Sequence, residues 1–184
     1  MKYSYKYLLI LFISSFSFFC SSSIAASKDT LNAISLRPYG RYFQNPNGNL
    51  ELISSAVHFG FRFTGPYCSI FAALSDPAAH NYLQYTVDGI YYRRMRISGN
   101  MSRSYNIVGL GKGEHTIWVY KATEATTGPI FIQKIVGQGM IALTVPNRPL
   151  IEFIGNSITC GAQADPSDIP CNAGEYHDHH NAYY

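Results

Sequence analysis

Val57, Phe59, Phe61 and Phe63 are apolar at every second position, with His58, Gly60 and Arg62 between them. A helical face repeats every ~3.6 residues, whereas alternate side chains of a strand share one face, so this spacing excludes a helix. The segment reads as a half-buried strand. From Leu31 to Val145 the chain carries strand signals and essentially no helix signal. Ser69 to Leu74, Tyr82 to Val87, Ile90 to Ile97, Tyr105 to Leu110, Glu114 to Lys121, Ile130 to Val136 and Met140 to Val145 are the further strands expected. Asp88-Gly89 predicts a hairpin, because both residues tolerate positive φ, and Gly111-Lys112-Gly113 predicts another turn. Short strands parted by Gly, Pro and Asp turns predict a two-sheet sandwich or barrel, over residues 27–145.

The amino terminus has a different task. Lys2 and Lys6 give a positive start, and Leu8 to Phe19 is an apolar run broken only by serines. That run is shorter than the ~20 apolar residues a membrane-spanning helix needs. Small residues follow at Ser23-Ile24-Ala25 and Ile24-Ala25-Ala26, so residues 1–26 read as a signal peptide and the protein as secreted or periplasmic. Cys20 offers lipid anchoring as an alternative, but the bulky Phe19 before it is a poor lipobox residue. The remainder, about 160 residues, is the usual length of one domain.

Charge narrows the classes of partner. The formal net charge of +3 includes two lysines of the leader, so the remaining chain is nearly neutral. No basic block is present, which leaves nucleic acid without an electrostatic footprint. Aromatic residues make up 15% and charged ones 14%, a balance suited to a β-rich protein handling polar, uncharged ligands. Past the leader only Cys68, Cys160 and Cys171 remain. Three cysteines allow one bridge within the chain. Cys160 and Cys171 are the candidate pair in an oxidising compartment, and Cys68, in an apolar stretch, reads as a buried thiol.

Pro146-Asn147-Arg148-Pro149 rules out a continuing central strand and reads as a linker. Leu150 to Ile154 then forms a compact apolar run that feeds Gly155-Asn156-Ser157-Ile158-Thr159, the beginning of an α/β unit rather than another sandwich strand. A serine on such a turn is lifted to the carboxyl edge of a sheet, where open α/β folds bind ligands. The turn's backbone N–H groups can stabilise an oxyanion there.

Ile151-Glu152-Phe153-Ile154-Gly155-Asn156-Ser157-Ile158-Thr159-Cys160-Gly161 resembles the first sequence block of the SGNH hydrolases, the GDSL-type esterases. More narrowly, the chain resembles carbohydrate esterase family two, whose members join an N-terminal jelly-roll sandwich to such a hydrolase domain. Tyr39-Gly40-Arg41-Tyr42, the strand around Phe59 to Phe63, Val87-Asp88-Gly89 and Gly113-Glu114-His115 follow the family's order. So do Lys121-Ala122-Thr123-Glu124-Ala125 and Asn181-Ala182-Tyr183. The resemblance implies an all-β jelly-roll sandwich followed by the first strand and nucleophile turn of an incomplete α/β SGNH hydrolase domain, over residues 150–184. It implies an esterase, acetyl xylan esterase-like, that removes O-acetyl groups from polysaccharides such as xylan without metal or other cofactor. Ser157 matches the nucleophile, with its own N–H as one oxyanion donor.

Two departures stand out. Asn156 replaces the family's usual Asp and keeps part of its hydrogen-bonding capacity without the charge. The family's glycine and asparagine oxyanion donors and its histidine base fall downstream of Tyr184, and a serine without a base is a poor nucleophile. These residues alone are therefore expected to be nearly inactive. His177, Asp178, His179 and His180 form a local cluster, but their spacing matches no closed zinc motif, and they read as a polar loop rimming the site. The reading from another class is a non-catalytic secreted sandwich that binds carbohydrate. For that reading Trp118 with Tyr82, Tyr85, Tyr91, Tyr92 and Tyr120 offers a sugar-stacking set, although an aromatic in alternating strands is more often core. Arg93, Arg94 and Arg96 read as a solvated strand face or a surface where two domains meet. Lys121 and Glu124 read as a structural pair at a strand end.

Overall fold

The phenylalanine alternation lies on a strand much longer than its spacing announces. In the computed structural model, which describes residues 29–144, 154–159, 161 and 164, it belongs to a continuous strand, His58–Ala73. Residues 1–26 with Cys20, the linker 146–149, Leu150 to Phe153, Cys160, Cys171 and the cluster from His177 to His180 lie outside the described residues.

The strands among the described residues are β1 (Asp29–Asn32), β2 (Tyr42–Gln44), β3 (Leu50–Leu52), β4 (His58–Ala73), β5 (His80–Val87), β6 (Ile90–Ser98), β7 (Arg103–Ile107), β8 (Glu114–Lys121) and β9 (Ile130–Leu143). Two short 3₁₀ turns, Ala33–Ser35 and Ala125–Thr127, are the helical elements described. All pairings are antiparallel, in the order β2-β3-β9-β4-β8-β5-β6, with β1 on β9 and β7 on β4.

One network of strands makes two layers because β4 and β9 pass through both. The first half of β4 pairs with β8 (Phe59 opposite Val119, Phe61 opposite Ile117) and with the end of β9 (Gly60 opposite Leu143). Its second half pairs with β7 (Ile70 opposite Tyr105) and with the start of β9 (Ile70 opposite Ile135). Between the halves the β4–β9 register shifts, from Thr64 opposite Gln138 to Ser69 opposite Val136. Pro66 sits in that gap, where a residue without an N–H costs no ladder bond. Phe59, Phe61 and Phe63 of one layer and Cys68, Ile70, Ile132 and Ile135 of the other are fully buried in one cluster. The result is an all-β, jelly-roll-like fold.

Asp88 and Gly89 turn β5 into β6 with φ of 52° and 84°, and Val87 pairs directly with Ile90, so the hairpin forms where the sequence predicts it. Four expectations are corrected. The two runs expected around 57–63 and 69–74 belong to one strand, His58–Ala73, and those expected from 130 and from 140 to another, Ile130–Leu143, because each strand changes partners without breaking. Strands β1 to β3 carry too few alternating residues to be seen beforehand. Strand β7 begins at Arg103 and ends at Ile107, since Leu110 turns back to donate to the Pro66 carbonyl at 3.1 Å.

Candidate functional site

The serine turn is built locally. Asn156 Oδ1 accepts from the Ile158 N–H at 3.1 Å, and the Asn156 carbonyl accepts from the Thr159 N–H at 3.1 Å. Gly161 N–H then donates to the Ile158 carbonyl at 3.0 Å. An Asn side chain closing onto the backbone two residues on is an Asx turn, so this residue supplies an acceptor where Asp would. Gly155 is required by contact: a Cβ there would run into the Thr159 side chain. Ser157 lies exposed at the head of the turn.

A second group lies on the outer face of the layer formed by β4, β8 and β5. Strand β8 alternates Ile117 and Val119, fully buried, with Trp118 and Tyr120, half-buried. Trp118 is therefore not in the core, and the core reading of this residue is corrected. Phe59 and Phe61 face Val119 and Ile117 and take up the inner side, which turns the indole outward. Opposite it stands Gly60. A Cβ on Gly60 would lie 2.7, 2.7 and 2.9 Å from Cε3, Cζ3 and Cδ2 of the indole, so only glycine lets the ring settle there. Beside this pair runs a row of rings. Tyr120 is opposite His58, and His58 is bridged by backbone bonds in both directions to Tyr39. His58 lies 5.0 Å from Tyr120, 5.7 Å from Tyr39 and 5.9 Å from Trp118, centroid to centroid. Its Nδ1–H donates to the Ala56 carbonyl at 2.9 Å, which in the neutral ring leaves Nε2 as an acceptor. Burial first, and then the field of Tyr91, push the Tyr120 hydroxyl up to about 12. It stays a neutral donor at any physiological pH.

Lys121 is the third notable group, and it is 0% exposed. Its Nζ, with three N–H groups, has four acceptors within hydrogen-bond reach: the Thr123 carbonyl at 2.8 Å, the Glu124 carbonyl at 2.5 Å, and Thr123 Oγ1 and Thr127 Oγ1, each at 3.2 Å. Asn81, also buried, ties the same loop down from β5: Nδ2 donates to the carbonyls of Thr127 and Gly128, and Oδ1 accepts from Thr123 Oγ1. The ammonium is held by backbone of Glu124, while a Glu124 carboxylate oxygen accepts from Thr126 Oγ1 at 2.8 Å. The expected structural pair of Lys121 and Glu124 is thus part of a larger buried cage, in which the Glu124 backbone carbonyl, Thr123 and Thr127 surround the amine. Desolvation draws the amine down to about 7, partly opposed by the field of Glu124. The arrangement is structural: it clamps the loop between β8 and β9.

The other candidates fall on either side of these groups. Cys68 is buried and burial raises its thiol to about 12, which suits an inert core residue. Tyr85 packs against the core and stacks on Tyr92 at 5.5 Å, whereas Arg94 lies 3.9 Å above the Tyr82 ring. At the hairpin end His115 Nδ1 bonds Asp88 Oδ2 at 2.8 Å, which lowers the carboxyl and raises the imidazole. Its other nitrogen is committed to the Gly111 carbonyl at 3.1 Å. Among the described residues no group of three or more His, Cys, Asp or Glu is placed to hold a metal ion, and no helix is long and apolar enough to cross a membrane. Sequence reading missed His58, Tyr39 and Gly60. The available signal was that an interior glycine in a strand often marks a close approach.

The described residues thus define an all-β, jelly-roll-like domain with an outward aromatic row, followed in the chain by a Gly-Asn-Ser turn. Residues 39–146 match the family described as Carbohydrate esterase 2 N-terminal, and the chain belongs to that family. The chain is 30% identical over 145 residues to the cellulase/esterase CelE of Acetivibrio thermocellus, spanning 74% of this chain and 17% of that protein. Its fold resembles a family two carbohydrate esterase from Cellvibrio japonicus at a TM-score of 0.69 and 17% identity, covering 86% of this chain and 48% of the other. It also resembles a family two carbohydrate esterase from Clostridium thermocellum in complex with cellohexaose, at a TM-score of 0.59 and 24% identity, covering 80% and 45%. The chain thus spans less than half the length of these relatives, and its matched residues correspond to the N-terminal part of a family two carbohydrate esterase.

Proposed function

We propose that the chain is the N-terminal portion of an exported carbohydrate O-acetyl esterase of the SGNH type, in which Ser157 is the nucleophile. The observation that carries this reading is the Gly155-Asn156-Ser157 turn standing directly after a sandwich of this family. The Ser157 hydroxyl attacks the acetyl carbonyl, the carbonyl electrons move onto oxygen, and the turn's N–H groups steady the oxyanion. Collapse expels the sugar hydroxyl and leaves an acetyl-serine, which water cleaves to acetate. The base that accepts the serine proton belongs, by the family resemblance, to a later block of the hydrolase domain. Residues 1–26 serve as the export signal, and Cys160 with Cys171 as a bridge that braces the segment after the nucleophile.

Hydrolysis of 4-nitrophenyl acetate tests the assignment. The chain joined in frame to the hydrolase region of the Acetivibrio thermocellus relative is expected to turn over. Ser157→Ala in that fusion should lower kcat by at least about 10³-fold, and unchanged turnover would refute the nucleophile. The 184-residue chain alone should match its own Ser157→Ala variant. The non-catalytic reading, a carbohydrate-binding sandwich, is favoured by one observation, the outward aromatic row, and the two readings are compatible in one protein.

A further inference from the structure

We infer that the outer face of β4 and β8 is a glycan subsite in its own right, with Trp118 as its floor and Tyr39, His58 and Tyr120 as its flank. The inference rests on the carbohydrate reading above but makes no use of Ser157. Its geometric basis is the way the indole is seated. Three atoms of its six-membered ring stand at nearly one distance from the Cβ position of Gly60. A ring on edge would bring one or two atoms close and leave the third far off. The indole therefore lies with one face on the glycine, and its other face is turned away from the sheet. Core packing does not ask for this, because Ile117 and Val119 already fill the inner side of β8.

The flank fits the same occupant. Tyr39, His58 and Tyr120 cross three neighbouring backbone segments, a width of about 10 Å at the usual spacing of a sheet. That is the reach of a disaccharide. The C–H faces of a neutral sugar stack on aromatic rings, while its hydroxyls need donors and acceptors at the ring edges. Here Tyr39 and Tyr120 supply phenolic hydroxyls, and His58 Nε2 supplies an acceptor. The charge nearest along β4, Arg62, is engaged by Glu114 at 3.0 Å. A face of rings and neutral polar groups, with the Arg62 guanidinium beside it paired to Glu114, complements an uncharged polymer better than an anionic one.

Trp118 is the single tryptophan of the chain, so intrinsic fluorescence reports on this position alone. Titration of the Ser157→Ala chain with cellohexaose and with xylohexaose is expected to give a saturable change in tryptophan emission with at least one of them. By affinity electrophoresis in a soluble β-glucan or xylan, Trp118→Ala should bind about tenfold or more weakly, as loss of a central aromatic anchor does. Tyr39→Ala, a change at a half-exposed rim residue that leaves the core untouched, should weaken binding severalfold with an unchanged far-UV circular dichroism spectrum. Emission that responds to neither oligosaccharide overturns the subsite, as does undiminished binding by both variants. Emission that shifts on dilution without sugar also overturns it, since a second copy of the chain then covers the face. A failed titration leaves Ser157 and its assay untouched, and a failed Ser157 assay leaves the titration valid.

Discussion

Phe61→Ala is expected to lower the unfolding free energy by about 3–5 kcal/mol, the usual cost of emptying a buried phenylalanine site. Phe61 is fully buried, stands between the rings of Phe59 at 6.4 Å and Phe63 at 6.3 Å, and faces Ile117 and Ala142 on the strands to either side. With ladders on both edges β4 has little freedom to close the gap, so the cavity should persist. Against a total of roughly 5–15 kcal/mol for a single domain, the loss is large. Urea denaturation should show a lower midpoint at an unchanged slope. A loss under about 1 kcal/mol would mean that the two layers are not packed face to face through this residue.

Lys121→Met is expected to act through pH as well as through packing. The folded amine titrates at about 7 and the unfolded one near 10.5. Between those values the unfolded chain holds a proton that the folded chain sheds, so stability rises with pH across this window and is flat below it. From pH 7 to 9 the rise is about 2 kcal/mol by linkage. Methionine removes that slope. It also strips the carbonyls of Thr123 and Glu124 of their ammonium, at about 1–3 kcal/mol for each buried acceptor left unmade. Cys68, Tyr85 and Tyr120, all raised by burial, and the Asp88–His115 pair contribute equally to both proteins, so the difference between the two curves isolates Lys121. Parallel melting curves across this pH range would show that Lys121 is not buried as a titrating group.

The esterase assignment and the glycan subsite answer to separate measurements, because they rest on separate parts of the chain. One part holds a serine turn and the other an aromatic face. In an enzyme acting on polymers, a surface that holds the chain raises the local concentration of ester groups without taking part in bond breaking.

What the sequence determined by itself was everything written in local periodicity. The spacing of Val57, Phe59, Phe61 and Phe63 required a strand, Asp88-Gly89 required a hairpin, and the apolar surroundings of Cys68 required a buried thiol. Each needs only the geometry of its own few residues. What the tertiary structure decided was which face is inside and which partner lies alongside. In Glu114 to Lys121 both alternate sets are apolar or aromatic, Ile117 and Val119 against Trp118 and Tyr120, so a period of two cannot choose between them. The choice falls to the phenylalanines of β4, more than fifty residues earlier, which cover Ile117 and Val119 and leave the indole over Gly60. Lys121 follows the same logic: the sequence offers Glu124 as its structural partner, but only the folded loop brings Thr127 onto its Nζ, with Asn81 of β5 holding that loop in place. Likewise, β4 and β9 read as four strands because local pattern registers a change of partner as an ending, while the backbone continues from one layer into the other.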